Sequence, residues 1–306
     1  MHWIEAVPNF SEGKDRQVLA ALVKAGEAGG AVVLGIDADG DHNRSVLTLV
    51  GTGDAVMAAL LATSRLAVER IDLRRHQGVH PRMGAVDVIP LIPMGDTPMA
   101  TTIELSRELG RRLADEFGLP VYLYDQSATK ANHRQLADVR RGGFSRLGER
   151  LKDDPPDYGP ARPHPTAGAV AVGARLPLIA FNCYLGTTDV AVARRIATTV
   201  RASGGGLIGV RALGLDTSPE AGAVQVSMNL VDYPRTSLPV AVEMVRREAA
   251  RWGTAVVRTE LVGKMPLTAL FDTARYYLRL PDLQENDVVE LNLLSADLRQ
   301  VRLRER

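Results

Sequence analysis

Short apolar, β-branched runs alternate with longer amphipathic stretches along the first half of the chain. Residues 3–7 read as a first strand and 8–13 as the turn after it. Ser11 or Asp15 caps a helix reaching about Ala28, which Gly29 and Gly30 end. Residues 31–37, rich in Val, Leu and Ile, read as a buried strand. A polar turn over 37–43 leads to an alternating return strand over 45–50, a long helix from about 55 to 71 and a strand over 85–92. The order is βαββαβ. An amphipathic helix is expected over 98–118, with Ile103, Leu105, Leu109, Leu113 and Phe117 as its apolar side. A short strand over 120–124 follows, then a helix over 132–152 broken at Gly142 and Gly143.

Residues 152–168 carry five prolines and two glycines, so they are irregular, and the boundary between domains 1–168 and 169–306 is placed there. The second half repeats the first. Strands are expected over 177–185, 207–215, 223–232 and 255–261, with helices over 190–202 and 238–252 and Gly-rich helix ends at matching places. The pattern predicts an α+β fold, two ferredoxin-like (βαββαβ) subdomains in tandem, with strand pairing inferred from the right-handed crossover rule. A crevice between two such sheets is where a small-molecule site would form. A helix over 266–280 follows, and the basic tail 299–306 reads as a frayed end.

Composition narrows the class. An apolar content of 45% supports one large core or two ordinary ones. A net charge of +1 gives no electrostatic reason to expect nucleic acid or an anionic membrane as partner. Cys183 is the only cysteine, which rules out an internal disulfide and fits a reducing compartment. No basic-then-apolar leader opens the sequence, and no apolar run approaches the ~20 residues needed to cross a bilayer. A soluble, cytoplasmic protein is expected.

Candidate chemistry concentrates at His76-Gln77-Gly78-Val79-His80-Pro81-Arg82-Met83-Gly84, which holds two of the six histidines. Pro81 disfavours helical geometry at His80. The stretch therefore reads as a loop that either presents His80 at the mouth of the next strand, suited to proton transfer near neutral pH, or carries incidental histidines. Asp37 either orients that imidazole or simply forms a turn. Arg44, Arg82 and Arg175 adjoin apolar runs, as carboxylate clamps or as structural ion-pair partners. The segment from Gly159 to Gly168 is too Pro-rich for a helix and lacks the Lys-Ser/Thr of a phosphate loop. Its glycines would let a flat ligand approach the backbone, or it is a plain linker. His76 and His80 lack the context of the helical zinc pair, and Cys183 has no ligand partner at metal spacing, so no metal is expected. Cys183 sits in an apolar strand, where an inert packed thiol outweighs a nucleophile.

A set of ordered strings adds a resemblance. Val7-Pro8-Asn9-Phe10-Ser11-Glu12-Gly13, Asn43-Arg44-Ser45, the 76–84 loop with Asp87, 120–124 and Asp157-Tyr158-Gly159-Pro160 are similar to the formiminotransferase family. So are Gly173-Ala174-Arg175 with 178–182, Gln225-Val226-Ser227-Met228-Asn229 and Glu260-Leu261-Val262-Gly263 with Pro266-Leu267. The resemblance implies transfer of a formimino group from N-formimino-L-glutamate to N5 of tetrahydrofolate, the co-substrate, in histidine breakdown. It implies that His80 is catalytic and that Asp37 assists. It places folate contacts at Gly159, Pro160, Ala161, Arg162, Thr166, Ala167 and Gly168, and around 210–219, where Gly214 lies. It implies two related subdomains with a folate-binding crevice and a homodimer. With the chain stopping after the transferase part, cyclodeaminase activity is not expected. The alternatives are a folate enzyme acting on 5-formyltetrahydrofolate, by formyl transfer or cyclisation, and a non-catalytic folate-binding protein.

Overall fold

Asp15 accepts the backbone N–H groups of Gln17 and Val18 at 2.8 and 3.2 Å and so starts the first helix, Arg16–Ala28. The computed structural model describes residues 2–40, 42–76, 82–217 and 222–295. The chain divides into two compact units, Met1–Leu176 and Pro177–Arg306.

The first unit runs β1 (Trp3–Ala6), β2 (Asn9–Phe10), α1 (Arg16–Ala28), β3 (Val32–Asp39), β4 (Arg44–Thr52), α2 (Gly53–Arg70) and β5 (Val86–Met94). It continues with α3 (Met99–Phe117), β6 (Val121–Leu123), α4 (Leu136–Val139), α5 (Leu147–Asp153) and β7 (Val170–Ala174). β1 and β2 lie between β4 and β5, antiparallel to both. β3 extends the sheet beyond β4, while β7 and then β6 extend it in parallel beyond β5. Leu22, Leu60, Leu109 and Leu113 of the helices pack on Leu47, Leu49, Ile89 and Leu91 of the strands. Val139, Leu147 and Leu151 form a separate cluster with Met83, Val88, Tyr122, Tyr124 and Ala171.

Four local expectations change. The turn expected over 8–13 contains β2, because Val7 N–H reaches Pro90 O at 3.1 Å and Pro8 O accepts Leu47 N–H at 3.0 Å, carrying the ladder past the proline. The strand read as buried at 31–37 is an edge, with Val32 56% and Leu34 46% exposed, since it pairs with β4 alone among the described strands. The helix expected over 132–152 breaks at Gly142 and Gly143 as read, both in left-handed backbone, but it is also cut into short pieces on either side of them. Residues 170–174, not read as a strand, pair in parallel with β5 inside the first unit.

The second unit runs β8 (Ile179–Leu185), α6 (Val190–Val200), β9 (Val210–Leu215), β10 (Gln225–Leu230), α7 (Leu238–Arg251), β11 (Val256–Val262), α8 (Leu267–Leu278) and α9 (Val289–Ser295). Its sheet order is β11-β8-β10-β9, so the first and third strands of the βαββαβ run are central. Ile196 and Val200 of α6 and Val242 and Val245 of α7 pack with Cys183, Val226 and Met228. Burial pushes the Cys183 thiol up to about 12, so it is inert at neutral pH. The basic tail 299–306 lies outside the described residues. Among the described residues, no helix is long and apolar enough to cross a membrane.

Candidate functional site

The pairing of β2 with β5 slips by one residue: Asn9 faces Val88 and Phe10 faces Val86. Asp87 is the extra residue of that bulge, which re-aims its side chain. Its carboxylate accepts Met83 N–H at 2.8 Å and meets the Arg140 guanidinium at 2.6 Å. Arg44, at the start of β4, donates to Asn9 Oδ1, and Asn9 Nδ2 donates to Val7 O at 2.7 Å. Burial lowers the Arg44 pKa and the Arg140 charge adds to this, against the pull of Asp87 and Asp39. Burial also lowers Arg82, again opposed by Asp87. Guanidinium groups from β4, from the segment before β5 and from just after α4 thus surround one buried carboxylate.

A shallow concavity opens here, lined by Phe10, Ser11, His42, Asn43, Arg44, Arg82 and Asp87. Its positive charge and arginine donors suit a small anion, above all a carboxylate. Beside it, His76 Nε2 lies 2.8 Å from Asn43 O. A carbonyl only accepts, so Nε2 carries the hydrogen. Burial lowers the His76 pKa, and although the Asn43 carbonyl opposes this, the Arg82 charge adds to it, so the ring is neutral at pH 7. Asn43 itself is in left-handed backbone at φ 48°, its Oδ1 accepting Gly13 N–H at 2.9 Å.

The structure brings some of the sequence candidates together. Arg44 and Arg82 share the concavity. Asp37 is exposed on β3 opposite Val46, two residues from Asp39, which lies opposite Arg44. Alternation therefore puts Asp37 on the same sheet face as Arg44. His80 lies outside the described residues. Arg175 sits at the end of β7, with its N–H on Leu91 O at 2.9 Å and its guanidinium on Leu176 O at 2.8 Å, away from the concavity lining.

Gly159 and Pro160 pass from Tyr158, whose carbonyl accepts Val121 N–H at 2.9 Å, into the exposed pair Ala161 and Arg162. The turn from His164 to Gly168 closes on itself, and it carries Thr166 and Ala167. Gly168 has φ +71°, and a Cβ there would stand 2.1 Å from Met83 O, so only glycine fits. Gly214 of β9 faces α6, where a Cβ would lie 2.2 Å from Arg194 N. Close helix–sheet packing demands that glycine.

In the second unit, the strand register puts Leu213, Ser227, Asn182 and Glu260 in one row across the sheet. Glu260 Oε2 accepts from Asn182 Nδ2 at 3.0 Å and from Tyr184 OH at 2.9 Å, and these bonds hold its carboxyl below the usual range. The Arg258 guanidinium lies 3.9 Å from the Tyr184 ring centroid. Three of these residues fall in the strings that carry the resemblance.

Asn9, Asp87 and Arg140 are functional candidates that residue-by-residue reading passed over. The signal was present for Asp87: a carboxylate inside an apolar strand must be paired. Arg140 had none, because its stretch read as a plain helix. Among the described residues, no group of three or more His, Cys, Asp or Glu side chains could hold a metal ion.

Residues 3–175 match the family described as "Formiminotransferase domain, N-terminal subdomain", and residues 180–303 match "Formiminotransferase domain". The chain is 40% identical over 296 residues to the glutamate formimidoyltransferase of Streptococcus pyogenes serotype M1, covering 95% of this chain and 99% of that one. It is 40% identical over 301 residues to the glutamate formimidoyltransferase of Thermoplasma acidophilum, covering 97% and 99%. It is also 40% identical over 283 residues to the formimidoyltransferase-cyclodeaminase of Rattus norvegicus, covering 90% of this chain and 52% of that longer protein.

Proposed function

This chain belongs to the formiminotransferase family, and from that membership we propose that it is a glutamate formimidoyltransferase. It moves the formimino group of N-formimino-L-glutamate to N5 of tetrahydrofolate. The N5 lone pair attacks the amidine carbon and a C–N5 bond forms. The tetrahedral adduct then breaks its bond to the glutamate nitrogen. One proton leaves N5 and one reaches the departing nitrogen, so a single imidazole serves both steps in turn. His80 has that role, with Asp37 assisting, and such acid–base assistance is typically worth ~10²–10⁴ in rate. Holding both substrates together supplies much of the remainder.

The observation that carries the substrate assignment is the guanidinium excess at the bulge. Arg44, Arg82 and Arg140 surround Asp87, and Arg44 and Arg82 line the shallow concavity beside it. A carboxylate of the formimino donor fits between Arg44 and Arg82, while Arg140 stays on Asp87. Folate is held by Gly159, Pro160, Ala161 and Arg162 and by Thr166, Ala167 and Gly168, with Arg175 toward an acidic end of either substrate. The reading extends to a cytoplasmic homodimer, whose mass light scattering of the purified chain would give.

The test is direct. Purified protein should consume formiminoglutamate only when tetrahydrofolate is added, with glutamate as co-product. Consumption of 5-formyltetrahydrofolate in its place would transfer the assignment to a formyl-handling relative, and folate binding without turnover would make it a carrier. His80→Ala should cut transfer by about two orders of magnitude or more. An unchanged rate at saturating substrates removes His80 from the mechanism.

A further inference from the structure

We propose that His164 is a positioning residue: its neutral imidazole holds the turn that splints both stems of the histidine loop and thereby sets His76 and Arg82 at the concavity. The proposal rests on the reading of that concavity as a substrate seat.

His164 Nδ1 lies 3.0 Å from Ala167 N and 3.4 Å from Thr166 N. A backbone nitrogen of this kind only donates, so Nδ1 must offer a lone pair and the hydrogen must sit on Nε2. The same turn is closed by His164 N–H on Gly168 O at 2.9 Å and Gly168 N–H on His164 O at 3.1 Å. Its carbonyls then point to two other segments. Thr166 O accepts Leu73 N–H at 2.9 Å, three residues before His76. Ala167 O accepts Ala85 N–H at 2.9 Å, and Ala169 N–H reaches Met83 O at 3.0 Å, next to Arg82. One five-residue turn therefore ties down both ends of the stretch between Leu73 and Ala85.

Protonation of Nδ1 would set an N–H against the Ala167 N–H. Two donors would face each other in a half-buried site, and the turn would have to open. Burial holds the His164 pKa below its ordinary value, which favours the neutral ring the turn requires. The charged or titratable groups on the surrounding segments are Arg162 on its own strand of chain, Asp72, Arg74, Arg75 and His76 upstream, and Arg82 and Asp87 downstream. α5, which brings Gly148 to Pro163, adds Glu149, Arg150, Lys152 and Asp153. Asp72 is engaged by Arg74 and Asp87 by Arg140, and burial is what moves the His164 ring toward the neutral form.

Two variants and one spectrum test this. Asn presents an amide oxygen where Nδ1 stood and does not titrate. H164N should keep kcat/KM for formiminoglutamate within about threefold of wild type and show a shallower fall at acid pH. H164L should lower kcat/KM by about tenfold or more, chiefly through a raised KM for formiminoglutamate, with the thermal midpoint within a few degrees. Long-range ¹⁵N–¹H correlation of histidine-labelled wild type should show His164 as the Nε2–H tautomer at neutral pH. Wild-type kinetics and pH dependence in H164L overturn the proposal, as does an Nδ1–H or charged ring at neutral pH. If H164L does not fold, an unaltered acid limb in H164N overturns it alone. Should wild type transfer no formimino group, the functional reading falls separately, and the tautomer still decides this one.

Discussion

The Arg140 guanidinium meets the Asp87 carboxylate at 2.6 Å, with 13% and 4% of the two side chains exposed. Neither residue can be understood without the other. Asp87 is carried inward by the bulge on β5, and Arg140 follows α4 on the segment packed against that face. A pair this buried contributes little over an apolar replacement, yet removing one partner leaves the other uncompensated. The same carboxylate also offsets the charges of Arg44 and Arg82.

Asp87→Asn should therefore destabilise the fold by about 3–5 kcal/mol, read as a shift of the urea midpoint. The amide oxygen can still accept Met83 N–H, so the loss isolates the missing charge. Adding Arg140→Met should restore part of it, because the second change removes the stranded guanidinium. Additive losses in the double variant would show that the two side chains do not act as a pair.

Arg82→Gln bears on the substrate. If Arg82 grips a carboxylate of the formimino donor in both ground and transition states, KM for formiminoglutamate rises about 10–100-fold with kcat little changed. Added salt should raise the wild-type KM in the same direction and affect the variant less. A fall in kcat at constant KM would instead assign Arg82 to the chemical step.

The order of elements was readable because each depends on local signals. Asp15 caps α1 where a helix start was expected, and both βαββαβ runs follow from periodicity and glycine stops. Edge position was not readable: β3 has the composition of a buried strand, and only its pairing partners reveal the exposed side of Val32 and Leu34. Short segments held by side chains were equally opaque. The stretch over 132–152 has helical composition on either side of Gly142 and Gly143, but buried polar contacts at Lys130, His133 and Asp154 override it. At the site, Arg44 and Arg82 were found through their neighbours in sequence. Arg140 was missed because its link to Asp87 spans 53 positions, a separation no local pattern reports.

Those buried polar contacts give a pH prediction. His133 is fully buried, with Nε2 2.7 Å from Asp154 and Nδ1 3.7 Å from Asp157. Lys130 Nζ sits 2.7 Å from the second oxygen of Asp154, and Tyr122 OH donates to the Asp154 carbonyl at 2.8 Å. Burial alone would push the imidazole down, but the Asp157 and Asp154 carboxylates outweigh it and raise the pKa above 6.5. Burial works against Asp154 as well, yet Lys130 and His133 hold it down to about 2. The signs differ. The raised histidine contributes fully below 6.5, and its contribution is lost as pH climbs through the folded pKa. The depressed carboxylate contributes above 3.8, and its share is lost as pH falls toward about 2. Together they make stability highest between about pH 4 and 6.5 and lower on the alkaline side. The thermal midpoint of wild type should drop between about pH 6 and 8.5, and His133→Gln, less stable at pH 6, should drop less across that range. Parallel slopes in the two proteins would mean that His133 is buried neutral and that its carboxylate neighbours carry no linked proton.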